Sequence, residues 1–85
     1  MSKADHMIYA VHVTDRLRQV SEVQRLLTEY GCHIKTRLGL HESSSAPNGL
    51  LLLEMIGEPK RCQELFDKLN VITGIEVKSI TFGHV

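Results

Sequence analysis

Two short helical patterns, each enclosed between strand patterns, set the limits on what this chain can fold into. Residues 7–13 (MIYAVHV) are β-branched and aromatic, the composition of a strand. Leu17, Val20, Val23, Leu27 and Tyr30 then recur three or four residues apart, which is one face of a helix. Thr14 and Asp15 stand where a side-chain oxygen can cap the orphan N–H groups of that helix. Gly31 stands where a left-handed residue would end it without a Cβ penalty. Residues 32–42 alternate as a strand does, and residues 49–56 read as a third strand. Pro59 suits a first helical turn, where its missing N–H costs nothing, and Cys62, Leu65, Phe66 and Leu69 make the stripe of a second helix. Gly74 closes the next turn, and residues 75–82 form the last strand. Right-handed crossovers leave one common solution for the order β-α-β-β-α-β. It is an α+β, ferredoxin-like sandwich: a four-stranded antiparallel sheet with both helices on one face, strands one and three central, two and four at the edges. Such a fold assigns no function by itself.

The 85 residues suffice for one small core, so residues 7–83 are read as a single domain behind a disordered tail, residues 1–6. Ten Lys and Arg balance ten Asp and Glu, which removes the basic surplus that drives phosphate binding; no direct nucleic-acid partner is expected. The longest apolar run, Leu50–Leu53, is far too short to span a bilayer, and the tail has no apolar signal-peptide core. Two cysteines, Cys32 and Cys62, are too few for a disulfide framework, so a reduced, cytoplasmic protein is expected. Residues 43–49 (SSSAPNG) have the composition and length of a mobile hairpin loop.

The strand alternation assigns two faces. Tyr9, Val11, Val13, Leu38, Leu40, Leu51, Leu53 and Met55 are expected under the helices. The open face then takes Ile8, Ala10, His12, Lys35, Arg37, Gly39, His41, Leu50, Leu52 and Glu54. Pairing His41 with Leu50 would place Gly39 opposite Leu52 and Arg37 opposite Glu54, a favourable charge pair. An open face carrying Ile8, Ala10, Leu50 and Leu52 beside His12 and Glu54 is more apolar than a purely solvated one. The expectation is a homo-oligomer, dimer or tetramer, that covers this face or an edge strand. The plainer alternative is scattered surface apolar residues, which small domains carry routinely.

The residues of chemistry are sparse. His6 and His84 lie near the termini, while Cys32, His33 and His41 are the weak candidates for a metal. They could complete a ligand set only with help from a second chain, so no metal and no cofactor is expected and the histidines read as surface or interface residues. The loop after strand one lacks the paired cysteines of a soft-metal chaperone and the glycine-rich phosphate loop of an acylphosphatase. Strand three lacks the base-stacking aromatics of an RNA-recognition motif. Asp15 reads as a helix cap and Glu54 as half of an ion pair, so no enzyme activity is expected.

Three stretches carry a resemblance: Tyr9–Arg16 (YAVHVTDR), Lys35–Gly39 (KTRLG) and Asp67–Ser79 (DKLNVITGIEVKS). Together they resemble the small regulators named for the iron-only hydrogenase system, over nearly the whole of residues 7–82. That family is ACT-like and related in fold to the C-terminal domain of the nickel-responsive repressor. The resemblance implies a non-catalytic regulatory domain that associates through its sheet and holds a small-molecule effector at a subunit interface. Thr14, Asp15, Arg16 and Arg37 are the candidate ligand-binding residues, an arginine fork being suited to an anionic group. The Asp15-Arg16-Leu17 loop lacks the glycine of amino-acid-binding ACT domains. The residues before Met7 are too few for a ribbon-helix-helix, so control of transcription would need a partner. A structural protein–protein module without ligand is the alternative reading, and a transition-metal sensor a third.

Overall fold

The computed structural model describes residues 6–14, 16–40 and 49–83, with only the backbone of residues 16–20 and 40. Of the expected tail (1–6) and serine-rich loop (43–49), residues 1–5 and 43–48 lie outside the described residues, as do Asp15, His41 and His84, while His6 is not tail but the first residue of β1 and Gly49 the first of β3. The elements are β1 (His6–Val13), α1 (Arg16–Glu29), a 3-10 turn (Gly31–His33), β2 (Ile34–Leu40), β3 (Gly49–Met55), α2 (Pro59–Asn70) and β4 (Ile75–Phe82). They form one antiparallel sheet in the order β2-β3-β1-β4, the α+β ferredoxin-like arrangement that the order of elements demands.

The core lies between one sheet face and the two helices. Tyr9, Val11, Val13, Leu53, Met55, Ile75 and Val77 from the strands are buried against Val23, Leu26 and Leu27 of α1 and Cys62, Leu65 and Leu69 of α2. Leu26 joins the stripe read from the sequence, and Phe66 meets the Tyr9 ring edge-on at 5.3 Å. Buried Tyr30 locks the helices together: its hydroxyl donates to Glu64 Oε1 at 3.3 Å. The Arg61 guanidinium and the Lys68 ammonium lie 4.9 and 5.1 Å from its ring centroid.

Three local expectations are corrected. Gly31 does not take a left-handed conformation; among the described residues only Gly57 and Gly74 have positive φ. The chain instead leaves α1 through the 3-10 turn, so Cys32 and His33 precede β2 rather than belong to it. The third correction is the parity of β2. Ile34 pairs with Met55 but Thr36 pairs with Glu54, so Lys35 is an extra residue on β2, a bulge. Beyond it every residue changes face. Leu38 lies opposite Leu52 on the open face, 51% exposed, rather than under the helices. Leu40 pairs with Leu50, Gly39 with Leu51, and Arg37 with Leu53. Arg37 therefore makes no pair with Glu54; its Nη2 donates to Gln24 Oε1 on α1 at 2.9 Å.

Candidate functional site

The helix-free face of the sheet carries the densest set of expected site residues. Its registers place Ile8 opposite Glu54, Ala10 opposite Leu52 and His12 opposite Leu50. All of the interface candidates thus share one surface. On the far side of β1, Ile80 lies opposite Ile8, Lys78 opposite Ala10, Glu76 opposite His12 and Phe82 opposite His6. Read across β2-β3-β1-β4, one row is Thr36, Glu54, Ile8, Ile80 and the next is Leu38, Leu52, Ala10, Lys78. The face is therefore quartered. Leu38, Leu50 and Leu52 fill one apolar corner, and Ile8, Ile80 and Phe82 the diagonally opposite one. Thr36, Glu54 and His6 make one polar corner, and His12, Lys78 and Glu76 the other. Ile80 and Phe82 are 51% and 54% exposed, and Leu50 36%.

Glu54 is held from two sides. His6 Nε2 donates to its Oε2 at 2.7 Å and Thr36 Oγ1 to its Oε1 at 3.0 Å. These two bonds, with nearby Lys35, keep its carboxyl below the ordinary value and hence ionised at neutral pH. At the opposite corner Lys78 Nζ lies 3.4 Å from Glu76 Oε2, with both side chains well exposed.

The residues proposed for a small ligand are not brought together in the same way. Thr14 is exposed and its N–H donates to the Gly74 carbonyl at 2.8 Å, while Arg16 opens α1. Arg37 is aligned through Leu53 with Tyr9, well short of Val13 where the loop begins. At ~3.4 Å per residue and ~4.8 Å per strand, that is on the order of 14 Å along the sheet and 10 Å across it. Of the metal candidates, Cys32 is exposed and its thiol is free. His33 turns inward: its Nδ1 is buried with no hydrogen-bond partner among the described residues, and its carbonyl accepts from the Ile56 N–H at 2.8 Å. Among the described residues no three of His, Cys, Asp and Glu converge on a common point.

His6, Thr36, Leu38, Glu76, Lys78, Ile80 and Phe82 complete the face and were not singled out from sequence. The β4 members were legible: Glu76, Lys78, Ile80 and Phe82 share one parity, opposite to buried Ile75 and Val77. Thr36 and Leu38 were hidden by the bulge.

No protein-family profile matches the chain, and no curated protein matches it. Solved structures do. An uncharacterized protein from Thermotoga maritima superposes with a TM-score of 0.82 at 22% identity, over 94% of this chain and 100% of that one. A nitrogen regulatory PII-like protein from Thiomonas intermedia, bound to ADP, AMP and bicarbonate, gives 0.60 at 11% identity over 95% and 93% of the two chains. A formyltetrahydrofolate deformylase from Pseudomonas putida gives 0.55 at 15% identity, over 88% of this chain and 28% of that one. At such identities the likeness is one of fold: the chain has the α+β, ferredoxin-like arrangement. No helix among the described residues is long and apolar enough to cross a membrane.

Proposed function

We propose that the chain is a non-catalytic regulatory domain that works as an oligomer, with the open sheet face as the seam between copies. The observation that carries this is the apolar area left on that face, above all Leu38, Ile80 and Phe82, each more than half exposed. The PII-like fold neighbour, a regulatory protein bound to small anionic ligands, supports the same class of role. A small-molecule effector at the 14–16 loop belongs to this reading; within one chain Arg37 stands apart from that loop. The connection to the iron-only hydrogenase system, and work in the cytoplasm, rest on the sequence alone.

Ile80→Asp and Leu38→Asp test the seam. Both side chains are exposed, so neither change opens a cavity in the core. The expected result is a drop from oligomer to monomer on gel filtration, with far-ultraviolet circular dichroism unchanged. Retention of the wild-type size by both variants would remove the seam from this face. A structural module without ligand is the second reading, favoured by the engagement of Arg37 with Gln24. A thermal-shift panel of nucleotides, amino acids and inorganic anions separates the two, because anything that binds only the folded state raises its melting temperature.

A further inference from the structure

Resting on the seam just proposed, we infer that two copies of this chain stack open face to open face about a two-fold axis running along the apolar diagonal of the sheet, so that Glu54 of each copy meets Lys78 of the other. The quartered pattern carries this. An isologous contact brings one patch onto itself, so the pattern must be self-complementary under the axis chosen.

The candidate axes in the plane of the face give different outcomes. An axis along the strands lays β3 over β1 and seats ionised Glu54 against Ile8, leaving a carboxylate without a new partner in a dry contact. An axis across the strands seats Glu54 against Leu52, with the same fault. An axis along the polar diagonal lays each polar corner on its own copy, Glu54 on Glu54 and Lys78 on Lys78. The apolar diagonal is the axis that satisfies every corner. Leu38, Leu50 and Leu52 then meet the same cluster of the partner, and Ile8 meets Ile80. Glu54 and Lys78, diagonal across β1 in the registers, exchange places. The strands of the two sheets cross steeply, at roughly 70–90°, within the orthogonal class of sheet packing.

The groups concerned are prepared for it. Glu54 uses one oxygen for His6 and the other for Thr36, and a carboxylate retains lone pairs beyond those two bonds. Among the described residues Lys78 holds only Glu76, at 3.4 Å and in the open, an ion pair that is cheap to exchange. A face of four strands, ~4.8 Å apart and about 20 Å long, presents enough surface for two copies to bury on the order of 1,000 Å², the lower bound of a specific interface.

The test is sedimentation equilibrium of the full chain as wild type, Glu54→Lys, Lys78→Glu and the double exchange. Each single variant places like charges together twice per dimer, and its association should weaken at least about tenfold. The double exchange should return to within about threefold of wild type, since it restores both pairs in reverse. Lys78→Glu leaves every described contact of the core in place, which separates a lost interface from a lost fold. Single variants that associate as wild type does, or a double variant weaker than either single, would overturn the alignment while leaving the seam standing. A wild-type chain that stays monomeric, its face covered by something other than a second copy, would overturn both.

Discussion

Gly57 gives the sharpest test of the local structure, because two independent constraints meet there. Its φ is +86°, and a Cβ built on it would lie 2.6 Å from His33 Nδ1 and 3.2 Å from Cε1. Gly57→Ala therefore confronts a left-handed backbone, costing about 1–2 kcal/mol. Reduced freedom of the unfolded chain returns about 0.4–1 kcal/mol of that. The overlap with the imidazole adds a further ~1–3 kcal/mol unless the ring moves, and the ring is wedged with Nδ1 already buried. The expected loss is about 2 kcal/mol, or on the order of 10 °C in melting temperature for a domain of this size. Urea denaturation of Gly57→Ala, His33→Ala and the double variant apportions the terms. With His33 truncated, Gly57→Ala should cost only the backbone part, so the cycle should show coupling of roughly 1 kcal/mol or more. A Gly57→Ala variant as stable as wild type, or one whose cost is the same with and without the imidazole, would refute this account of the α2 approach.

Two further outcomes follow from burial. Tyr9 is buried beneath the helices, and desolvation, then Cys62 and Asp67, push its phenol up to about 12. Because the folded state holds the proton more tightly than the unfolded one, the stability from Tyr9 is complete below pH 10.0 and is lost as the pH climbs from there through about 12. Tyr9→Phe should flatten that alkaline decline in denaturant titrations, and a decline unchanged by the substitution would contradict the assignment. The two thiols should differ sharply. Cys32 is exposed, while Cys62 is buried, has its thiol pushed up by burial, and donates to the Ile56 carbonyl at 3.3 Å. A thiol reagent should label Cys32 at once and Cys62 only at the rate of unfolding. Fast labelling of Cys62 in Cys32→Ser and in wild type alike would show that the α2 side of the core opens freely.

The parts of the fold that were legible in sequence are those where a period and a boundary agree. Pro59 opens α2 with Cys62, Leu65 and Leu69 turned inward, and Ile75–Phe82 spans β4 as the alternation demands. On β1 and β3 the same alternation sorted Tyr9, Val11, Leu53 and Met55 from Ile8, Ala10, Leu52 and Glu54, as the registers require. β2 failed because a bulge leaves no mark on an alternating stripe. Ile34, Thr36, Leu38 and Leu40 have one parity in the chain, yet the extra residue Lys35 keeps Ile34 against the core and sends Thr36 and Leu38 outward. Thr36 was the one polar member of that stripe, and its hydroxyl serves Glu54. Edge position made the slip tolerable: Arg37 can lie toward the helix side of β2 and still reach Gln24 at the surface. The Arg37–Glu54 pair that had supported the register was thereby replaced by His6–Glu54, a partner on the neighbouring strand β1 and 48 residues away in the chain. Long-range partners of this kind depend on which strands lie side by side, and charge spacing along the chain does not encode them.

The central claim is that the uncovered sheet face joins copies of the chain. Light scattering on the full protein at rising concentration tests it most directly. The account predicts a mass approaching at least twice the 9.6 kDa of one chain. A mass that stays at that of a single chain throughout would contradict it.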